Sequence, residues 1–352
     1  MITTLWYTRC PVATASSLAI QNGWMDEEFG RDGIHVASLR ESGERAVRES
    51  HFDHTQADSF REGGNIPPIW VRSRGGDTRL IGLAWVDEYQ AILALPESGI
   101  RTARDLRGRR LALPRRVHDQ IDFWRAKSLR GILNALSLEG MDERDIDLVE
   151  LPVEETYLGD DTVSHSDTLW TAARRQMLQR AEVLALVRRQ VDAIYTCGAL
   201  GAALAAFLGA RAVVDLWRHP DRSVRTNNAT PTALTVSGVL IEKRPDLVAR
   251  YVARTIAGAR WAETHPAETV RAMAREVGAA EEWVEAAYET DFHCRMAPEL
   301  PEESISAIES QKDFLLRWGF IEHDFDVRAW IDPRPLEEAL KARAPGEEHH
   351  GP

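Results

Sequence analysis

Short apolar runs alternate with amphipathic stretches along most of the chain. Strand-like runs occur at 4–8, 34–39, 79–85 and 91–95. After the first run, Pro11 opens an apolar-periodic stretch that continues to Trp24, so the pattern predicts a strand, a turn and a helix. Strands that alternate with helices favour a mostly parallel sheet. The pattern therefore predicts an α/β fold.

The stretch 99–114 predicts a short helix, a glycine turn and a new strand. It resembles the start of the second lobe in type II periplasmic solute-binding proteins. We expect helices at 121–138, 170–188 and 199–208 in that lobe, with strands at 147–151 and 192–196. The runs 212–216 and 233–241 are predicted to be strands that lead back into the first lobe. Helices at 245–262 and 266–277 should follow.

These elements predict a two-lobed, type II periplasmic-binding-protein-like fold with mostly parallel sheets and a helical C-terminal portion. The first lobe is expected to comprise 1–95 and, after the second lobe at 96–232, the return strand and helices at 233–342. The tail at 343–352 is rich in Glu, His, Gly and Pro, and we expect it to be disordered.

The length, composition and charge of the chain limit the classes of protein to which it could belong. The chain has 352 residues, of which 44% are hydrophobic, so it can bury a substantial core and favours two domains. Its formal net charge is −12 and it has no basic stretch interleaved with aromatic residues, which argues against nucleic acid as a partner. No apolar run approaches about 20 residues, and the N-terminus lacks the pattern of a secretion signal. We expect a cytoplasmic protein with no membrane partner, and a monomer.

The three cysteines are Cys10, Cys197 and Cys294, an odd and sparse set that suits free thiols in a reducing compartment. Cys10 lies between the first strand and the predicted helix, where the partial positive charge of a helix N-terminus would favour a thiolate. The adjacent Arg9 could add to this effect. By position alone, a cysteine is more often a small buried hydrophobe. For Cys197 we expect a packing role. For Cys294 we expect a structural or surface-exposed role.

A second candidate group lies at Arg61, Gly63 and Gly64. Arg61 offers a bidentate cation beside backbone amides that a ligand can approach closely, which suits a small oxyanion such as a sulfinate. The alternative for the glycine pair and for the following Pro67 and Pro68 is an ordinary surface loop.

His51 and His54 have the spacing of a metal pair, but no third ligand motif lies nearby, so we expect no metal. No phosphate-binding glycine pattern occurs at a strand-to-helix turn, and we expect no cofactor.

Taken together, the N-terminal motifs resemble one family. The chain has Tyr-Thr-Arg-Cys-Pro-Val at 7–12, a His-Phe pair at 51–52, Gln56, Arg61, and Gly-Gly-Asn-Ile-Pro-Pro at 63–68. This order is similar to that of the 2'-hydroxybiphenyl-2-sulfinate desulfinases of bacterial dibenzothiophene desulfurisation. The similarity continues at 106–110, 191–195, 209–216 and 314–316, so it spans nearly the whole chain.

The resemblance implies a cysteine, a histidine and an arginine in the active site, which correspond here to Cys10, His51 and Arg61. It also implies that Gly64 supplies a backbone amide to the sulfinate. Further substrate-binding positions implied by the resemblance or by sequence position are Gly63, Thr8, Gln56 and Trp124. Thr8 stands where the family has serine, and it keeps the hydroxyl.

The implied activity is the hydrolytic release of sulfite from 2'-hydroxybiphenyl-2-sulfinate or a related aromatic sulfinate, without a cofactor. Cys10 could attack sulfur as a nucleophile, or its thiol could protonate the ring carbon, and the sequence does not choose between these routes. The alternative function is a solute-binding protein of an ABC transporter for sulfonates or similar aromatic acids, because the scaffold serves both. A receptor needs the arginine but has no use for the thiol.

Overall fold

The structure of the chain is a computed structural model that describes residues 2–157 and 179–341. Its first sheet has five strands in the order β2-β1-β3-β10-β4. The bounds are β1 Thr4–Arg9, β2 His35–Ser38, β3 Ser59–Gly63, β4 Thr78–Ala84 and β10 Thr232–Ser237. Strand β1 pairs in parallel with β2 and β3, whereas β10 runs antiparallel to β3 and β4.

The remaining strands form the second part of the fold. Strands β5 (Gln90–Ala94), β8 (Ile194–Cys197) and β9 (Arg211–Asp215) make an antiparallel sheet in the order β8-β5-β9. Strands β6 (Arg110–Arg116) and β7 (Asp147–Val153) are a parallel pair, linked to the stretch before β8 by a bridge between Leu111 and Ala193. The predicted α/β class is confirmed. The alternation of strands and helices predicted parallel strands, whereas β10 and β5 run antiparallel to their neighbours.

Fifteen α-helices lie within the described ranges 2–157 and 179–341. In the first part they are α1 Ala15–Gln21, α2 Trp24–Gly30, α3 Arg45–Asp53 and α4 Ile66–Ser73. Beside the second sheet they are α5 Phe123–Ser137, α6 Arg180–Val187, α7 Gly198–Leu208 and α8 Arg222–Arg225. The C-terminal helices are α9 Gly238–Lys243, α10 Pro245–Thr264, α11 Pro266–Val277, α12 Glu281–Ala287, α13 Glu302–Arg317, α14 Val327–Trp330 and α15 Arg334–Lys341. In the described part of the chain, no helix is long and apolar enough to span a membrane.

The core of the first sheet fixes the strand that carries the candidate arginine. Phe60 of β3 is 1% exposed and stacks on Tyr251 of α10, with the ring centroids 3.8 Å apart. Leu5 of β1 belongs to the same buried cluster. Each such side chain contributes about 1.5–3 kcal/mol when it leaves water, so β1 and β3 are firmly held against α10.

Two predicted strands need correction. The strand predicted at 233–241 ends at Ser237, and the apolar residues that follow form α9 instead. A short apolar run fits a buried strand or a buried helix equally well, and here Gly238 starts the helix beside Asp77, where any side chain would collide. The strand predicted at 212–216 exists as β9, but it pairs with β5 in the second sheet and does not return to the first.

The segment predicted only as polar contains three elements, α3, β3 and α4. All five residues of β3 are buried, including Arg61 and Glu62. In α3 the two buried residues are the polar Arg48 and Ser50. Hydrophobic periodicity does not predict such elements, because it assigns polar residues to the surface and these polar residues are buried.

Some predictions concern residues that lie partly or wholly outside the described ones. Of the helix predicted at 170–188, residues 180–187 are helical, and 170–178 lie outside the described residues. The tail at 343–352 also lies outside them. The lobe boundaries stay a prediction. The membership of β5 in the second sheet favours a crossover just before Gln90, a few residues earlier than the predicted one.

Candidate active site

Cys10 follows directly on β1, at the point where β3 also ends. Its backbone N–H donates to the carbonyl of Glu62 at 3.0 Å, which extends the parallel pairing by one residue. Gly63 lies beside it with φ at +149°, and a Cβ at this glycine would come within 2.5 Å of the Cys10 Cβ and 2.6 Å of its Sγ. Glycine at position 63 is therefore a steric requirement of the position of the thiol.

The predicted placement of Cys10 at a helix N-terminus is wrong. Helix α1 begins at Ala15, after an N-cap at Thr14, so a five-residue connection separates β1 from the helix. The field of a helix falls off within its first turn, so it does not reach the thiol strongly. Arg9 does not supply the charge either, because its Nε donates to Glu276 Oε2 at 2.7 Å.

Arg61 supplies the positive charge beside the thiol. Its side chain is 2% exposed, and its Nη2 donates to the Cys10 Sγ at 3.2 Å. The Nη1 group donates to the Gly64 carbonyl at 2.7 Å, and Nε donates to the His51 carbonyl at 3.2 Å. Burial lowers the pKa of Arg61 while the neighbouring Cys10 opposes that shift. A guanidinium stays charged in proteins, so Arg61 is a fixed cation with a set orientation.

His51 completes the group from helix α3. Its Nδ1 lies 2.6 Å from the hydroxyl of the buried Thr8, and its Nε2 lies 3.9 Å from the Cys10 Sγ. Burial lowers the pKa of His51 well below the usual value of 6.5, and the charge of Arg61 lowers it further. At neutral pH the ring is therefore a neutral imidazole. Thr8 fixes its orientation, so the second nitrogen faces the thiol.

Gly64 lies at the edge of the same group. Its carbonyl is held by Arg61, and a Cβ at this position would collide with the Asn228 side chain at 2.5 Å. Among residues 2–157 and 179–341, no hydrogen bond of the Gly64 N–H is found. Gly64 also lines the cavity described next, so this N–H is a donor in reach of a bound ligand.

A large cavity adjoins these residues, with a volume of about 1080 Å³. Ligand pockets commonly have volumes of about 300–1,000 Å³, so an aromatic ring system fits. Cys10, His51, Arg61 and Gly64 line one part of it. The apolar lining includes Phe52, Phe123, Trp124, Val183, Leu200 and Ala203. Trp124 is 8% exposed, and its indole N–H donates to Glu182 at 2.8 Å, which fixes the ring in the cavity wall.

Three predicted positions do not line the cavity: Thr8, Gly63 and Gln56. Thr8 and Gly63 act one step away, through His51 and Cys10. Gln56 is not brought to the group: α3 ends at His54 in a left-handed conformation, and the Gln56 backbone N–H then donates to the Ser50 hydroxyl. The Gln56 amide donates to the neighbouring Ala57 carbonyl at 3.4 Å. In the described part of the chain, no three metal-ligating side chains are grouped.

Sequence reasoning did not single out Glu88 and Lys127, two buried polar residues in the cavity wall, and it did not place Cys197 there. The sequence alone indicates a packing role for Cys197. It is indeed buried, and it also faces the cavity from the end of β8. A signal existed in α5, where a lysine occurs among small and apolar residues close to Trp124.

No family model matches the chain. The 2'-hydroxybiphenyl-2-sulfinate desulfinases of Rhodococcus erythropolis and Rhodococcus qingshengii are each 27% identical to it over 356 aligned residues, which cover 96% of this chain and 93% of theirs. The predicted resemblance to the desulfinases is confirmed. The crystal structure of the desulfurization enzyme DszB matches with a TM-score of 0.76 and 26% identity, over 96% of this chain and 99% of that one.

A cysteine-to-serine mutant of that desulfinase, in complex with biphenyl-2-sulfinic acid, matches with a TM-score of 0.76 and 25% identity over 97% of this chain and 99% of that one. The periplasmic aliphatic sulphonate-binding protein SsuA of Escherichia coli matches with a TM-score of 0.66 and 15% identity, over 94% of this chain and 92% of that one. The latter likeness confirms the periplasmic-binding-protein-like fold.

Proposed function

We propose that this chain is an aryl sulfinate desulfinase that hydrolyses the carbon–sulfur bond of an aromatic sulfinate. The observation that carries the proposal is the approach of the Arg61 guanidinium to the Cys10 thiol at 3.2 Å, beside a neutral His51 and on the wall of a large apolar cavity. The confirmed resemblance to the desulfinases supports the same activity. We propose 2'-hydroxybiphenyl-2-sulfinate or a close relative as the substrate.

The sulfinate oxygens would bind between Arg61 and Gly64. Three of the five N–H donors of the guanidinium are engaged by Cys10, His51 and Gly64, which leaves two for a ligand. The Gly64 N–H adds a donor from the neighbouring backbone. This arrangement sets the sulfur and the ring carbon close to the Cys10 Sγ, and the aromatic wall receives the rings.

The overall reaction adds one water: the aryl sulfinate and water give the arene and bisulfite. The aryl group would leave as a carbanion, so the ring carbon must gain a proton as the bond to sulfur breaks. In one route the Cys10 thiol gives this proton, sulfur dioxide leaves and is hydrated, and the thiol regains a proton from water. In the other, the Cys10 thiolate attacks sulfur as the carbon–sulfur bond breaks, and the ring carbon takes the proton that His51 accepted from the thiol. Water then cleaves the new sulfur–sulfur bond to give bisulfite and the Cys10 thiol.

His51 serves either route. Because it is neutral, its Nε2 can accept the thiol proton in the nucleophilic route. In the proton-donor route it can return a proton from water to the thiolate. Arg61 stabilises the thiolate in both. The three free cysteines fit the further proposal that the enzyme acts in the reducing cytoplasm.

The competing function is a solute-binding protein, and the fold likeness to a sulfonate-binding protein favours it. The experiment that separates the two incubates purified protein with 2'-hydroxybiphenyl-2-sulfinate, without added metal or cofactor, and quantifies sulfite and 2-hydroxybiphenyl. We expect both products in equal amounts over many turnovers. Tight binding of the sulfinate without either product would contradict the desulfinase and favour the receptor.

A further inference from the structure

A carboxylate behind the cavity holds the connection that carries the thiol, residues 10–14. Glu276 of α11 is 6% exposed, and its Oε2 accepts from Arg9 Nε at 2.7 Å and from the Ser17 hydroxyl at 2.9 Å. Arg9 is the last residue of β1, and Ser17 lies in the first turn of α1. One carboxylate oxygen therefore joins the chain before the connection to the chain after it.

A second carboxylate holds the same segment from the sheet. The Glu62 carbonyl accepts from the Cys10 N–H at 3.0 Å, and the Glu62 side chain accepts from the Ser16 N–H at 2.9 Å. Between these points, Ala13 belongs to the buried cluster that contains Met273 of α11. The connection is thus anchored on both sides, to β3 and to α11.

Glu276 also ties this segment to the wall of the ligand cavity. Among the residues that the structure describes, those that line the cavity include Arg275 and Val277, the two neighbours of Glu276, but not Glu276 itself. Cys10 and Pro11 line the same cavity. The position of the sulfur relative to a bound ring is therefore set in part by bonds that the ligand does not touch.

Stability alone does not explain the ion pair of Arg9 and Glu276. The two side chains are 17% and 5% exposed, and the desolvation of such a pair can cost as much as the attraction returns. Burial lowers the pKa of Arg9, but the charge and hydrogen bond of Glu276, together with Tyr7, raise it above its usual value. The pair is therefore closely coupled, and what it supplies is a fixed geometry next to the thiol.

The proposed reaction depends on that geometry. The Cys10 Sγ lies 3.2 Å from Arg61 Nη2, and a displacement of about 1 Å can cost about 100-fold in rate. We propose that Glu276 is a positioning residue that holds the Cys10 thiol against Arg61 by anchoring the connection at both ends. This inference rests on the proposed function for the reaction that the thiol performs.

The first test measures the rate of Cys10 alkylation near neutral pH in the full chain, with Glu276→Gln and with Arg9→Met. Alkylation follows the thiolate, which Arg61 stabilises, so a displaced thiol should react more slowly. We expect both variants to slow the labelling of Cys10 by about tenfold, equivalent to the loss of one charged hydrogen bond. If only the charges acted on the thiol, loss of the carboxylate would speed labelling and loss of the guanidinium would slow it. Opposite changes would therefore overturn the inference.

The other two thiols report on the fold in the same samples. The exposed Cys294 reports the activity of the reagent, and the buried Cys197 reacts slowly as long as the structure stays closed. We expect both rates to be unchanged. Faster labelling of Cys10 and Cys197 together in Glu276→Gln would show that Glu276 only stabilises the fold, and would overturn the inference.

Two milder variants complete the labelling experiment. Arg9→Lys keeps a cation that can bond Glu276, so its Cys10 should react as in the unsubstituted chain. Ser17→Ala removes one anchor without a change of charge and should slow labelling by about threefold. If neither Glu276→Gln nor Arg9→Met folds, an unchanged rate in Ser17→Ala would overturn the inference.

Sulfite release then tests the link to catalysis. We expect kcat of Glu276→Gln to fall by about tenfold to 100-fold with KM within about twofold, because Glu276 does not touch the substrate. The matched control is Glu28→Gln, which loses a half-buried bond from Arg250 of the same 2.7 Å length and should keep both constants. A change in KM alone would overturn the inference. Absence of sulfite release by the unsubstituted chain would contradict the proposed activity, and the labelling rates would still test the role of Glu276.

Discussion

Arg61 and Gly63 act on Cys10 from the same strand, and together they define the position of the thiol. In the register of β1 with β3, Thr8 pairs with Arg61 and Arg9 with Glu62, so Cys10 comes level with Gly63. Parallel neighbours lie about 4.8 Å apart, so the absence of a side chain at Gly63 makes room for the Cys10 Sγ. The guanidinium then reaches the sulfur at 3.2 Å. The strand pairing thus places the Arg61 charge beside the thiol, so no helix dipole is needed to stabilise a thiolate.

Arg61→Lys should keep the charge and lose most of the activity. An ammonium cannot bond the Gly64 carbonyl, the His51 carbonyl and the thiol in the fixed geometry of the guanidinium. We expect kcat/KM for sulfite release to fall by about 100-fold, equivalent to the loss of one or two charged hydrogen bonds. Arg48→Lys is the control, because Arg48 is also buried and bonds carbonyls, but it does not line the cavity. Equal turnover in both variants would show that Arg61 acts only as a charge.

Gly63→Ala should displace the thiol. The new Cβ would lie 2.5 Å from the Cys10 Cβ, a separation that requires the two strands to move. We expect a loss of about 2–4 kcal/mol in the free energy of unfolding, together with a loss of activity of at least about 100-fold. Gly99→Ala tests the backbone cost alone, because Gly99 has φ at +75° but open space around its Cβ position. The assignment of Gly63 fails if the two variants are equally stable and equally active in denaturant titrations and sulfite assays.

Acid should destabilise the protein through two histidines. Burial lowers the pKa values of His51 and His54 well below 6.5, whereas in the unfolded chain they return to about 6.5. The unfolded state therefore binds more protons below pH 6.5, and the stability present above that pH is lost as the pH falls toward the folded pKa values. Each group contributes up to about 1.4 kcal/mol per pH unit. Urea titrations at pH 7, 6 and 5 measure the slope.

The control for this pH dependence is the double variant His51→Gln with His54→Gln. Its stability should depend less steeply on pH than that of the unsubstituted chain, by up to about 2.7 kcal/mol per pH unit between pH 6 and 5. Identical slopes would mean that the two imidazoles are not held neutral by the fold.

Alkylation should distinguish the three thiols. Cys10 is half-buried in the cavity, Cys197 is buried with a pKa raised to about 11, and Cys294 is exposed. We expect Cys10 and Cys294 to be labelled near neutral pH and Cys197 to react slowly. A sulfinate ligand should protect Cys10 alone, and loss of activity should follow the labelling of Cys10 and not that of Cys294. Mass spectrometry locates each adduct, and full activity after stoichiometric labelling of Cys10 would contradict its role.

The sequence predicted correctly those strands and helices whose hydrophobic pattern matches their burial. The strands at 4–8 and 91–95 and the helices at 121–138 and 266–277 are found within one or two residues of their predicted bounds. Strand β3 and helix α3 were not predicted, because residues of the site are polar and buried, and a hydrophobic pattern does not identify such elements. The residues identified by resemblance, Cys10, His51 and Arg61, do converge.

Other features of the site could not be predicted from the sequence. The pairing of β1 with β3, which brings Cys10 to Gly63, depends on strand order, and no local pattern gives that order. The contribution of Glu88 and Lys127 to the cavity likewise depends on how α5 packs across the second sheet. The prediction of a helix N-terminus at Cys10 was wrong, because it took Pro11 as the first residue of the helix. Pro11 instead lies in a connection that ends at Thr14. A proline is compatible with both conformations.

We propose that the Cys10 thiol performs chemistry on a bound sulfinate. The most direct test of this proposal compares the unsubstituted chain with Cys10→Ser, and with Cys294→Ser as the control for loss of an exposed thiol, in one assay of sulfite release and one of ligand binding. We predict that Cys10→Ser binds 2'-hydroxybiphenyl-2-sulfinate with nearly unchanged affinity and releases no sulfite, because serine keeps the shape but is a far poorer nucleophile and acid. Full turnover by Cys10→Ser would show that the reaction does not depend on the thiol.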